Sequence, residues 1–286
     1  MSGLRIDSSQ RLGARGGRAH HEAKRAETNI VRCKDCGSTY TNPTLIPKTN
    51  PYEKESVDEY FQHHDETHKI LLGEQCIAQA EQILGRTGRV LELGCGRGES
   101  LRGAINRGWT AFGVDMTSGF IEAAQKNGIE IEISSIEDCH ALEQSYDVVL
   151  MVAILEHLYE PMKTLKRVSS ALRPGGLLFV HVPNEVSLTM LIGNLYMRAR
   201  GRDWAINLSP TFSPFHVVGF SPNSLRKALN EAGFDIHTLK VHRYNNNLQP
   251  QKTIIRKLER IGLSAVQNLG QLFGMGDGLT CWAIRK

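Results

Sequence analysis

The feature that most constrains the fold is an apolar strand that ends in a glycine-rich turn, residues 90–98 with the sequence VLELGCGRG. Glycines tolerate backbone angles that other residues avoid, and they let a ligand lie against the main chain. Further apolar strand candidates follow at Ala111–Val114, Ile129–Ile133, Asp147–Val152, Leu177–Val182, Phe234–Val241 and Leu279–Ile284. Helical stretches lie between most of them, which predicts a parallel sheet covered by helices.

Two carboxylates stand at positions that suit a nucleoside ligand. Glu92 lies inside an otherwise apolar strand, where it is costly without a polar partner such as a ligand's ammonium group. Asp115 ends the second strand, 115 − 94 = 21 residues after Gly94. This spacing matches the acidic residue that hydrogen-bonds ribose hydroxyls in nucleotide-binding α/β folds. The alternative for Asp115 is a helix cap before Ser118.

Four ordered motifs carry a family resemblance: VLELGCGRG, GVD, SYDVVLMVAILEHL and LRPGGLLFVHVPN. Over about residues 68–245 the chain resembles class I S-adenosylmethionine-dependent methyltransferases, especially those of the ubiquinone pathway and those acting on small molecules or sugars. The resemblance implies S-adenosylmethionine as the methyl donor. The cofactor-binding residues that it implies are Tyr60, Glu92, Gly94, Cys95, Gly96, Gly98, Asp115, Met116, Ser135, Ile136, Glu137 and Met151.

Within that resemblance Asp115 would hold both ribose hydroxyls, and Met151 would line the methyl-donor side. Residues 135–137 would lie at the adenine edge, although relatives often carry Asp where Ser135 stands. A nicotinamide-dependent dehydrogenase is the rival interpretation, but its third glycine would fall on Glu99, whose charge would repel a pyrophosphate. We therefore predict a Rossmann-like α/β fold: a seven-stranded, mostly parallel sheet with helices on both faces and an antiparallel last strand.

Two histidines are the catalytic candidates. The general base for an acceptor hydroxyl would be His216, since histidine titrates near neutral pH and relatives carry a similar aromatic-His pair. Its alternative is a structural or substrate-positioning role, and His181 is the next candidate, although its place in a strand favours packing. The second candidate is His157, for which a helix-start hydrogen bond is the favoured alternative. Some relatives bind a divalent metal here, but Ala153 replaces one expected Glu, so we predict no metal.

The chain divides into three predicted parts. Residues 1–28 form a flexible basic tail, 29–66 a small knuckle and lead-in segment, and 67–286 the methyltransferase domain, with 184–215 as a substrate-cap insertion. The insertion holds an apolar run, residues 186–197, and then three arginines. This run could accept a lipid-linked or anionic substrate, but we favour a core helix with a solvated basic end.

A cysteine pair, Cys33 and Cys36, has the spacing of half a zinc knuckle. The upstream pair found in some sugar methyltransferases is absent, and His20 and His21 are adjacent residues that point in different directions. We favour a degenerate knuckle that binds no metal; the alternative is a retained zinc site.

Charge and composition bear on partners. Residues 1–25 hold six basic and two acidic side chains, which gives 6 − 2 = +4, the whole net charge of the chain. The remaining body is neutral, so we expect no nucleic-acid partner. The tail is expected to be a solvated leader, with contact to an anionic membrane or RNA as the alternative, and any membrane contact to be weak and peripheral.

We therefore expect a cytoplasmic monomer or homodimer without a transmembrane segment, which methylates a small-molecule, glycosyl or lipid-linked acceptor, most often on oxygen. The alternatives are a catalytically silent cofactor-binding subunit and an RNA methyltransferase.

Overall fold

Two β-sheets organise the chain in a computed structural model that describes residues 9–16, 27–46, 66–210, 214–244 and 254–286. The strands are β1 (Ser9–Gly16), β2 (Glu27–Cys33), β3 (Thr39–Asn42), β4 (Arg89–Leu93), β5 (Thr110–Asp115), β6 (Glu130–Ile133), β7 (Tyr146–Val152), β8 (Leu172–Pro183), β9 (Val218–Gly219), β10 (Phe234–His242) and β11 (Gly278–Arg285). The described helices are α1 (Glu66–Leu84), α2 (Glu99–Asn106), α3 (Ile121–Lys126), α4 (Pro161–Ala171), α5 (Leu188–Ala199), α6 (Pro222–Glu231) and α7 (Ile254–Leu272).

The larger sheet has seven strands in the order β10-β11-β8-β7-β4-β5-β6. Strands β4 to β8 pair in parallel, whereas β11 runs antiparallel to both β8 and β10. The predicted seven-stranded sheet with an antiparallel last strand is therefore confirmed. The strand order reverses between β4 and β7, since β5 and β6 lie on one side of β4 and β7 and β8 on the other, and such a switch point forms a crevice at the carboxyl ends of the strands.

Helices cover both faces of this sheet, as predicted. On one face Leu91, Leu93 and Val149 belong to a hydrophobic cluster that also contains Leu165 of α4 and Leu225 of α6. The other face buries Val90, Val148 and Leu150 with Ile77 of α1, Leu101 of α2 and Ala124 of α3. Successive strand residues thus point to opposite faces, and both sides are apolar because both are covered.

The smaller sheet contains part of the segment predicted as a flexible tail, and the prediction is corrected for residues 9–16. Residues 9–16 form β1, which pairs with β2 in an antiparallel ladder, and the sheet continues through β3 to β9. Main-chain hydrogen bonds do not depend on side-chain type, so a strand rich in Gly and Arg can still complete a sheet. Leu12 of β1 also packs against the cluster of Ile30, Ala205 and Leu208.

The insertion at residues 184–215 packs against this N-terminal sheet. Trp204 forms a β-bridge with Ala14 of β1. Both terminal nitrogens of Arg11 donate to the carboxylate of Asp203, at 2.8 and 2.5 Å. Parts of the predicted tail, lead-in segment and substrate cap therefore pack together in one structural unit.

Helix α5 differs from the predicted core helix, because it buries none of its residues. Leu191, Leu195 and Tyr196 are 57%, 63% and 54% exposed. The apolar run is a helix, as its composition suggested, but it lies on the surface, so the prediction of a core position is wrong. None of the helices in the described ranges is both long and apolar enough to cross a membrane.

Candidate active site

The glycine turn lies at the carboxyl end of β4, in the crevice of the large sheet. Gly94, Gly96 and Gly98 have φ angles of 72°, 55° and 77°, a region that favours glycine. The N–H of Gly94 donates to the Val114 carbonyl of the neighbouring strand at 2.8 Å. A Cβ at position 94 would lie 2.1 Å from Cδ1 of Ile154, so close packing also requires glycine there.

Asp115 holds this turn from the end of β5. Its Oδ2 accepts the Gly96 N–H at 2.8 Å, and its Oδ1 accepts the Thr117 N–H at 2.9 Å. Each carboxylate oxygen has a second lone pair for a further hydrogen bond. The side chain is thus fixed at the mouth of the crevice with acceptor capacity for two hydroxyl groups.

Glu92 is buried just below the turn, with 4% of its surface exposed. Burial raises its pKa to about 8, against the opposing effects of Lys69 and of a hydrogen bond with Ser100. Its Oε2 has no hydrogen-bond partner within the described residues. A buried carboxylate oxygen of this kind is costly unless a donor reaches it, and a ligand's ammonium group would satisfy it.

Three of the residues predicted to bind cofactor turn their side chains into the core. Cys95 is 6% exposed, Ile136 is 7% exposed, and Met151 is fully buried. Met151 is buried because strand alternation places it on the same face as Val149 and Leu93, which form the core. Glu92 is buried to a similar degree, so the role of these three residues in binding the cofactor stays a prediction.

The residues predicted to lie at the adenine edge form a turn after β6. Ser135 donates its hydroxyl to Asp138 at 2.8 Å and accepts the Asp138 N–H, so it closes a turn. Glu137 is half-buried, and its carbonyl accepts a hydrogen bond from Arg167 at 2.6 Å. Met116 remains 47% exposed beside Asp115 and is available to a ligand. Tyr60 lies outside the described residues.

A second set of polar groups follows β7, where residues 155–157 form a 3-10 turn. Glu156 is 1% exposed, and neither of its carboxylate oxygens has a hydrogen-bond partner in the part of the chain that the structure describes. Burial, together with the charge of Glu185, raises the pKa of Glu156 to about 8. Glu156 is a site residue that was not predicted from the sequence, although it stands directly before the candidate His157 in the motif SYDVVLMVAILEHL.

The structure brings His216 to this carboxylate. Its Nε2 lies 3.9 Å from Oε1 of Glu156, and its ring centroid lies 4.8 Å from that of His157. Burial and the neighbouring His157 lower the pKa of His216 to about 3, so the imidazole is neutral near pH 7. A main-chain hydrogen bond also joins the two segments, because the Val217 N–H donates to the Glu156 carbonyl at 2.9 Å.

His157 has the features of a positioning residue. Burial lowers its pKa, against the effect of hydrogen bonds with the main chain of Phe215, Ala153 and Pro214. Ala153 and Phe215 have positive φ angles of 53° and 59°, a strained region for residues with a Cβ. His157 thereby joins the end of the insertion to the end of β7.

The ligand atoms of Glu156, His157 and His216 all lie within 4.8 Å of one another. One carboxylate and two imidazoles are a donor set that Zn²⁺ and similar cations accept. The absence of a metal, which was expected because Ala153 replaces a Glu, remains a prediction. His216 is a further possible ligand, and the Glu156 oxygens, which have no hydrogen-bond partner among the described residues, could accept a cation.

His181, the alternative base, lies inside β8 and stacks on Tyr244 with ring centroids 5.1 Å apart. Burial lowers its pKa to about 4. Its carbonyl accepts the Ala153 N–H at 2.8 Å, which fixes the strained residue beside the site. These contacts agree with the packing role that its strand position favoured.

Comparison with known proteins agrees with this geometry. The methyltransferase domain family matches residues 61–239 of the chain. A ubiquinone biosynthesis O-methyltransferase of Marinobacter nauticus is 28% identical over 168 residues, which are 55% of this chain and 68% of that relative.

Two solved structures share the fold. An S-adenosylmethionine-dependent methyltransferase of Archaeoglobus fulgidus gives a TM-score of 0.53 at 19% identity and covers 80% of this chain and 97% of its own. The plantazolicin methyltransferase BpumL, in complex with a monoazolic desmethylPZN analog and SAH, gives a TM-score of 0.54 at 14% identity, and the match covers 82% of this chain and 91% of that one. Because the family model matches residues 61–239, the chain belongs to the methyltransferase domain family. Together with its ordered motifs and its seven-stranded sheet, this match identifies the chain as a class I S-adenosylmethionine-dependent methyltransferase.

Proposed function

We propose that this enzyme methylates a hydroxyl oxygen of a small-molecule acceptor that binds beside Glu156 and His216. The observation that carries the proposal is this buried pair, which lies at the carboxyl end of β7, next to the strand that carries the glycine turn. The ubiquinone biosynthesis O-methyltransferase of Marinobacter nauticus supports oxygen as the acceptor atom. A glycosyl or lipid-linked acceptor belongs to the same proposal, since each presents a hydroxyl.

On the donor side, S-adenosylmethionine supplies a methyl group on a positively charged sulfur, which needs no further activation. Asp115 would accept hydrogen bonds from the ribose hydroxyls, and Glu92 would pair with the ammonium group. The glycine turn would let the ligand approach the main chain. These residues bind and align the donor, and alignment is the main contribution that a displacement of this kind requires.

On the acceptor side, His216 would accept the proton of the hydroxyl. Its low pKa keeps the imidazole unprotonated but also makes it a weak base, so a neighbouring anion has to raise its basicity for it to accept the proton. Glu156, at 3.9 Å, would stabilise the protonated imidazole once its own carboxyl is ionised. Because the pKa of Glu156 is about 8, activity is expected to rise with pH and to level off above that value.

Two other functions remain as outcomes of the test. A catalytically silent subunit would bind the donor without transferring its methyl group. An RNA methyltransferase would label nucleic acid, but the Asn/Asp-Pro-Pro-Tyr turn typical of many such enzymes is replaced by Met151-Val152-Ala153-Ile154.

The decisive experiment has two stages. Calorimetry with S-adenosylmethionine and S-adenosylhomocysteine measures donor binding, and radiolabelled methyl transfer to a fractionated cell extract follows the product. We expect binding of both ligands, and label in the low-molecular-weight fraction as an alkali-stable ether. Binding without transfer would indicate the silent subunit, label in RNA would indicate the third function, and no binding would overturn the proposal.

A further inference from the structure

The turn between β2 and β3 brings two thiols together outside the active site. Cys33 is the last residue of β2 and is 2% exposed, while Cys36 is half-buried. The turn is closed by main-chain hydrogen bonds from Gly37 to the Cys33 carbonyl at 3.0 Å and from Cys33 to the Ser38 carbonyl at 2.9 Å. Gly37 has a φ angle of 79°, which allows the chain to turn back.

The turn lowers the pKa of the Cys33 thiol. Burial disfavours its thiolate, but the polar groups of Cys36 and Asp35 in the turn favour it, so the pKa of Cys33 lies below its usual value. The Cys36 thiol donates to Oγ of Ser38 at 3.3 Å. A Cys-x-x-Cys turn that stabilises one thiolate beside a more accessible thiol is the arrangement of reactive dithiols.

A metal is the other use of such a turn, and it requires more ligands than these two. Structural zinc takes four. Within the described ranges, the one cluster of three or more candidate ligands is Glu156, His157 and His216. The Cys33–Cys36 turn has no third ligand within those ranges, and bound zinc is one of the outcomes of the test below.

We propose that Cys33 and Cys36 form a reversible intramolecular disulfide with a low-molecular-weight disulfide such as glutathione disulfide as the oxidant. The more accessible Cys36 attacks the oxidant, forms a mixed disulfide and releases one reduced glutathione. The Cys33 thiolate then attacks the Cys36 sulfur and displaces the second glutathione. Two thiols are oxidised and one glutathione disulfide is reduced, so electrons and protons balance.

The pair is connected to the enzyme body by the small sheet. A Cβ on Gly37 would lie 3.2 Å from Oγ of Ser221, the N-cap of α6. Thr39 of β3 pairs with Gly219 of β9, three residues after His216. Oxidation would therefore tighten a turn that lies at the edge of the strand following the active-site histidine.

The test uses the full chain in glutathione buffers of increasing oxidised fraction, with acid quenching and alkylation of free thiols. Lys34 lies between the two cysteines, so trypsin separates them unless a disulfide joins the fragments. We expect two thiols to disappear together, a mass loss of about 2 Da, joined tryptic fragments, and full reversal by dithiothreitol.

The matched controls are Cys36→Ser, which should stop at an unreacted or glutathione-bound Cys33, and Cys139→Ser, which should leave the transition unchanged. Because Cys139 is fully buried, it is not expected to exchange. Both thiols remaining alkylatable at the highest oxidised fraction would overturn the proposal, as would two stable mixed disulfides. The proposal would also be overturned if the purified wild-type protein contained stoichiometric zinc that protects both thiols. None of these results depends on the folding of the variants.

Discussion

The donor side and the acceptor side of the site are built in different ways. The donor side comes from one short stretch, residues 89–117, in which the carboxylate of Asp115 accepts main-chain N–H groups of Gly96 in the glycine turn and of Thr117. The acceptor side joins Glu156 to His216, which the chain brings back after a 32-residue insertion at 184–215. A common cosubstrate is thus held by local backbone geometry, whereas acceptor recognition depends on segments distant in sequence.

The sharpest test of this division is His216→Asn. We expect kcat to fall by about 10²- to 10⁴-fold, the usual contribution of a positioned base, while the donor Kd stays unchanged. His237, which is exposed on β10, provides the matched control as His237→Asn. An unaltered kcat, or a parallel loss of donor affinity, would break the division between the two sides.

The converse change is Asp115→Asn on the donor side. Donor Kd should weaken by roughly 10- to 100-fold, because charge-assisted hydrogen bonds to the ribose are replaced by weaker ones. Asp235→Asn, at an exposed ion pair with Lys286, is the control. Calorimetry measures the effect, and equal donor affinity in both variants would remove Asp115 from the donor site.

Donor affinity should also depend on pH through Glu92. Its pKa is about 8 in the free enzyme, so the carboxyl is mostly protonated at pH 7 and must ionise to pair with an ammonium group. Affinity should therefore rise by up to about tenfold per pH unit as the pH approaches 8, and fall at higher pH as the ammonium group of the donor loses its proton. Glu92→Gln should abolish this dependence, and a wild-type protein with a flat profile would argue against the pairing.

The smallest effect concerns stability at the acceptor side. The folded-state pKa of Glu156 is raised to about 8, so its stabilising contribution is complete below the ordinary value of 4.5 and is lost as pH rises through 8. Glu156→Gln should then raise the free energy of unfolding at pH 8.5 by about 1–3 kcal/mol and flatten its pH slope.

Urea unfolding at pH 5.5 and 8.5, with a chelator present, measures that slope. The control is Glu143→Gln, whose side chain is 70% exposed. A Glu156 variant that is less stable than wild type at pH 8.5 would mean that the carboxylate has a partner, such as the cation that its two histidine neighbours could help to hold.

Sequence reasoning reached the large sheet and the donor side because their signals are local. Each of its seven strands shows an apolar run or an alternation of apolar and polar residues, and the glycine turn and Asp115 lie within about 25 residues of each other. Strand β1 could not be predicted in this way, since its Gly- and Arg-rich sequence has no strand pattern and is stabilised by pairing with β2. The contact between Glu156 and His216 could not be predicted either, because no spacing rule connects residues 60 positions apart.

The pairing of β3 with β9 has a practical consequence. The family match begins at residue 61, so a trimmed protein that starts there would seem to keep the whole enzyme. Such a fragment would lack β3, the strand that pairs with β9, and His216 would then lie next to an unpaired strand. We expect the shortened form to retain donor binding and to lose turnover.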